Sequence, residues 1–165
     1  MEHRDTLLTF AEIAVALAGF TGLVSVIGRR ERREASLRTD WFRLRMMLEV
    51  ALRNATFALL PIPFLDLTLS DTLIWRIASG VYLLAVPAHI LFRLRQSNAA
   101  GIERAMSVPS LGLLPLSLLA CLANVIGLGG PHAFSLYLLS LLLGLITAGM
   151  LFVSVAGSFF SDEQS

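Results

Sequence analysis

A chain of 165 residues that is 56 % hydrophobic and only 15 % charged, with a mean hydropathy of +0.74, is too apolar for a soluble domain. Its formal net charge is +1, and all thirteen basic side chains are arginine, a usage that fits either codon bias in a GC-rich bacterial genome or a demand for bidentate contacts to carboxylate and phosphate. Cys121 stands alone in an apolar segment, which excludes a disulfide framework and a cysteine metal site and points to a buried inert thiol.

The first apolar segment, residues 7–28, reads LLTFAEIAVALAGFTGLVSVIG and carries one ionisable group, Glu12, before it runs into RRERRE. Its 22 residues make a helix about 33 Å long, enough to cross a bilayer core of about 30 Å. Ala16-Leu17-Ala18 has the small-x-small pattern of a signal cleavage site. The preceding MEHRDT lacks the positive charge of a signal peptide, however, and Glu12 interrupts the apolar run, so a mature span is expected. The second segment, 46–65, carries Glu49, Arg53 and Asn54 early and Pro61 and Pro63 late, which predicts a helix beginning near Trp41 and bending at the prolines. Segments 72–92, 108–128 and 133–160 complete the set. Each is long enough to span. The expected fold is all-α, a single bundle of five transmembrane helices without a separate soluble domain.

Arginine placement gives the direction. Arg29, Arg30, Arg32, Arg33, Arg38, Arg43 and Arg45 lie between the first two spans, and Arg93, Arg95 and Arg104 between the third and fourth. The connections on the other side carry Asp66, Asp71 and the turn Gly129-Gly130-Pro131-His132, with no arginine. Basic loops stay cytoplasmic, so the chain is expected in a bacterial inner membrane with its N-terminus outside and its C-terminus inside. The loop 29–45, with Arg29, Arg30, Arg32 and Arg33 followed by Trp41 and Phe42, reads either as a surface for anionic lipid headgroups or as a topogenic anchor. With no folded basic domain and no aromatic platform, nucleic acid is not an expected partner.

Small residues recur at helical spacing in two spans: Ala14, Ala18 and Gly22 in the first, Ser140, Gly144 and Ala148 in the fifth. Such stripes let helix backbones approach closely, within one chain or between copies. Counting from the span ends puts the remaining polar groups in two layers. Glu12 falls about 8 Å inside the outer end, with Arg76 and Asn124 about 6 Å inside it. Glu49 and His89 fall about 5 Å inside the inner end, with Arg53 one turn beyond. Pairing relieves the cost of such groups, so Glu12 is expected to meet Arg76. Between the layers only Ser79, Ser117, Thr56, Thr147 and Cys121 are counted, which describes an apolar waist, either a hydrophobic gate or an ordinary sealed bundle.

His3, His89 and His132 fall at different places in this topology, and no nucleophile elbow or phosphate loop is present, so neither a cofactor site nor an enzyme is expected. The functional expectation is a homo-oligomeric channel or transport protein for an ion, proton or small solute. The alternative is an accessory subunit packing through its small-residue faces onto a larger membrane complex.

Overall fold

The computed structural model describes residues 2–27, 34–67, 69–96 and 108–161, with side chains described for 3–23, 44–67, 69–92, 95 and 112–153. The described residues are helical with no strand. The elements are α1 (Glu2–Ile27), α2 (Glu34–Leu59), α3 (Ile62–Leu65), α4 (Asp71–Gln96), α5 (Val108–Val125), a 3₁₀ turn (Gly130–His132) and α6 (Ala133–Ser161). Among the described residues, four stretches are long and apolar enough to cross a membrane: His3–Leu23, Leu44–Leu65, Asp71–Phe92 and Gly130–Val153. In α5 the part whose side chains are described, Gly112–Val125, is apolar as well.

Two boundaries differ from the sequence expectation. Helix α1 begins at Glu2, five residues before the apolar run, and α2 begins at Glu34, well before Trp41, so most of the expected loop 29–45 is helical. Hydropathy marks where a helix becomes apolar, not where it becomes a helix. The proline break does fall where expected. Leu60 still donates to the Thr56 carbonyl at 2.9 Å, but Pro61 has no N–H to continue the ladder, and α3 restarts after it. Pro87 and Pro115 lie inside α4 and α5 without ending them, as membrane helices tolerate.

The link from α5 to α6 is closed by a Schellman cap. Gly127 takes φ +89 and donates to the Asn124 carbonyl at 3.1 Å, while Leu128 donates to Ala123 at 2.9 Å. That backbone conformation favours glycine.

Helix α1 packs mainly on α2, α2 on α6, and α5 on both α6 and α4, which leaves α1 at the edge of the bundle. One end is pinned by rings: His3 of α1 lies 4.0 Å from Phe134 and 5.7 Å from Trp75, between ring centroids. The starts of α1, α4 and α6 therefore share a level. The main core holds Leu7, Phe57, Trp75, Tyr82, Cys121 and Tyr137, and a second cluster holds Met47, Val50, Ala148 and Leu151.

Candidate functional site

The level set by His3 and Trp75 changes the depth of the outer layer. Arg76 adjoins Trp75, whereas Glu12 lies nine residues farther along α1, about 14 Å away along the axis. Glu12 in fact lies well inside its helix, ten residues from Glu2 and fifteen from Ile27. The expected Glu12–Arg76 pair is accordingly absent among the described residues. Arg76 is exposed, with its guanidinium lying over Gly127 where a side chain would otherwise sit. Asn124 alone of the three is a buried junction. Its Nδ2 donates to Ser79 Oγ at 2.8 Å and to the Ala133 carbonyl at 2.9 Å, with the Trp75 carbonyl at 3.4 Å, tying α5 to α4 and α6.

Of the inner layer, Glu49 and His89 are brought together, with Arg45 beside them. Glu49 Oε2 lies 3.5 Å from His89 Nε2, joining α2 to α4, and Glu49 Oε1 accepts from Arg45 Nε at 3.0 Å. Sequence reasoning assigned Arg45 to a loop. Its i,i+4 spacing to Glu49 was as visible as that of Arg53, but the Glu-before-Arg order favoured the latter. Arg53 is instead turned into the bundle. Its Nε is buried without a hydrogen-bond partner among the described residues, and Tyr82 is its electrostatic neighbour.

Between the layers the interior is more polar than the sequence reading allowed. Tyr82 Oη and Ser117 Oγ are 3.4 Å apart, Cys121 lies beside the hydroxyls of Ser140 and Ser79, and Tyr137 donates to the Phe57 carbonyl at 2.5 Å. Thr56 and Thr147 bond the carbonyls of their own helices and add nothing to this set. Asn54 is central in Leu44–Leu65 and Tyr82 in Asp71–Phe92, each ten or eleven residues from both ends. The signal for them was position: a polar or hydroxyl-bearing side chain at mid-span needs a partner.

Of the small-residue stripes, Ser140, Gly144 and Ala148 are buried, with Gly144 against Asn54 and Ala148 beside Met47 and Val50. Ala14 and Ala18 are buried, but Gly22 is exposed and a Cβ there meets nothing within 4 Å. The expected tandem motif thus stops at Ala18, and buried Thr21 continues the face. Arg29, Arg30, Arg32 and Arg33 lie outside the described residues.

The feature that sequence reasoning missed is the opposite face of α1. Asp5, Thr9, Glu12, Ala16, Gly19 and Leu23 follow one another at three- or four-residue steps and are all exposed. Leu7, Ala11, Ala14, Ala18 and Thr21 form the buried stripe. At about 100° per residue the centres of the two stripes stand about 160° apart. Helix α1 therefore has small residues on two opposite faces, Ala11, Ala14 and Ala18 on one and Ala16 and Gly19 on the other, and the exposed one carries at Glu12 a carboxylate that has no ion-pair partner among the described residues. Comparison with protein-family models, with curated proteins and with solved structures finds no match for the chain.

Proposed function

We propose that the chain is a five-span protein of a bacterial inner membrane, N-terminus outside and C-terminus inside, whose copies assemble around an axis and conduct a cation or proton. The outer face of α1 lines that axis. The observation that carries this reading is Glu12, exposed deep within an apolar helix, ten residues from its start, without a partner among the described residues. A charge at the centre of a hydrocarbon slab costs about 2.5–3.5 kcal/mol even on the mildest scale, so this face is better suited to a hydrated path than to lipid. Thr9 and Asp5 extend the polar surface outward, and Ala16 and Gly19 leave room inward. A carboxylate ring attracts cations and repels anions. The five-span topology draws on α5, whose 18 residues extend about 27 Å, and the orientation on the ten arginines that fall between the first and second and the third and fourth apolar segments, a bias that favours the cytoplasmic side.

The decisive experiment pairs particle mass in nanodiscs with flux through liposomes. The reading expects several copies per particle, cation-selective conductance, and loss of most of that conductance in Glu12→Gln with assembly intact. A strict monomer, or an oligomer silent under voltage from pH 5 to 8, refutes it and leaves the accessory-subunit reading.

A further inference from the structure

The bundle interior carries a separate feature, which does not depend on how copies assemble. Asn54 is 3 % exposed, and neither its Oδ1 nor its Nδ2 has a partner among the described residues. The amide is aimed at Gly144 of α6, where a Cβ would strike Oδ1 and come within 2.8 Å of Nδ2. Small buried side chains surround the helix faces concerned: Ala51 and Ala55 on α2, Ser140 and Ala148 on α6. One residue before Asn54, the Nε of Arg53 is likewise buried and unpartnered. One turn earlier, the Glu49–His89 pair stands at the bundle surface, its side chains 26 % and 44 % exposed. The unmet polar atoms of Asn54 and Arg53 therefore lie between mid-bundle and this exposed pair.

The chemistry of these atoms restricts what meets them. Asn54 Oδ1 requires a donor, while Asn54 Nδ2 and Arg53 Nε require acceptors. A metal ion would serve Oδ1 alone and would be repelled by the guanidinium next to it. An anion would serve the two nitrogens and leave Oδ1 bare. Water both donates and accepts, needs little room, and ordinarily completes buried polar groups of this kind. We infer that water molecules occupy a narrow crevice along α2, leading from the Glu49–His89 pair past Arg53 and ending at Asn54. Gly144 makes that end possible by leaving the amide room to sit.

The test uses the full chain in nanodiscs on a Cys121→Ser background. The variants Asn54→Cys and Leu141→Cys, the latter at an apolar position 1 % exposed, are treated with methanethiosulfonate ethylammonium. The crevice predicts labelling roughly ten-fold or more faster for Asn54→Cys than for Leu141→Cys. Equal rates, whether both slow or both fast, overturn it. Should Asn54→Cys fail to fold, the unaltered protein with ¹⁵N-asparagine answers the same question. The Asn54 side-chain amide should exchange with deuterium roughly ten-fold or more faster than that of Asn124, whose hydrogens are bonded to Ser79 and Ala133. Exchange no faster than at Asn124 overturns the inference. Neither readout requires oligomers or conductance, so a failed pore and a dry crevice are distinguishable.

Discussion

Replacing Asn124 with alanine strips the amide that joins α5 to α4 and to the first turn of α6. Two good hydrogen bonds disappear, to Ser79 Oγ at 2.8 Å and to the Ala133 carbonyl at 2.9 Å. Interhelical bonds in a membrane bundle contribute about 0.6–1.7 kcal/mol each, so their loss costs about 1–3 kcal/mol. The small cavity left behind adds about 1 kcal/mol. Against this, Asn124 Oδ1 is itself buried without a partner among the described residues, and removing it returns about 1 kcal/mol. The net expectation for Asn124→Ala is a loss of about 1–3 kcal/mol. Asn124→Asp has nearly the same shape but sets an acceptor against the Ala133 carbonyl and buries a carboxylate that only the rotatable Ser79 hydroxyl can meet, so it should be worse than alanine. Ser79→Ala removes one of the bonds and should cost less. Reversible unfolding in mixed detergent, followed by the fluorescence of the adjacent Trp75, measures all three. An aspartate variant as stable as the wild type, or an alanine variant within about 0.5 kcal/mol of it, would refute the account of Asn124 as a junction.

Tyr137→Phe removes the bond to the Phe57 carbonyl and should lower stability by about 1 kcal/mol in the same assay; an unchanged midpoint means the hydroxyl holds nothing. Gly144→Ala drives a methyl into the Asn54 amide and should cost about 1–3 kcal/mol, whereas Gly19→Ala, with nothing within 4 Å, should leave monomer stability unaltered. Gly127→Ala must place a side chain at φ +89 and displace the Arg76 guanidinium, for about 1–2 kcal/mol. If that variant unfolds no earlier than the wild type, the turn is not the constraint described here.

The order of the helices and the proline break were legible because they follow from local chemistry: uninterrupted apolar runs, and a Pro61 that cannot donate. The polar layers were legible only in part, because depth was counted from where hydropathy rises. Residues 2–6 are polar and invisible to that count, yet they continue α1, with His3 held on Phe134 and Trp75 by tertiary contacts. With His3 level with Trp75, Glu12 lies about 14 Å beyond that level along α1, deeper than the count from Leu7 placed it and apart from Arg76. The inner layer escaped this error, and its Glu49–His89 pair forms. Tyr82 and Tyr137 were hidden for a different reason. On a hydropathy scale they are apolar bulk, and their hydroxyls matter only once Ser117 and the Phe57 carbonyl are placed beside them by other helices.

Helix α1 poses the sharper question, because its two opposite faces obey one rule. The inward face is small so that α2 can approach, with Ala11, Ala14 and Ala18 buried between the backbones. A helix meant to meet lipid on its far side would carry bulk there, as Ile13 and Phe20 do on one flank and Leu8 and Val15 on the other. Between those flanks stand Thr9, Glu12, Ala16 and Gly19, a surface that gains little from hydrocarbon and, at Glu12, is penalised by it. The penalty grows with depth, and Glu12 lies ten residues inside α1, whereas a terminal position such as that of Asp5 would have avoided most of it. A carboxylate placed at that depth, on a face of α1 that no described residue covers, is a poor choice for stability and a reasonable one for a group that must meet water or another copy. Replacing Glu12 with leucine should then separate the two demands. If the face serves only lipid, Glu12→Leu stabilises the protein and changes nothing else; if it serves an assembly, the same variant gains monomer stability while losing conductance. Loss of neither oligomer nor flux in Glu12→Leu removes α1 from the path.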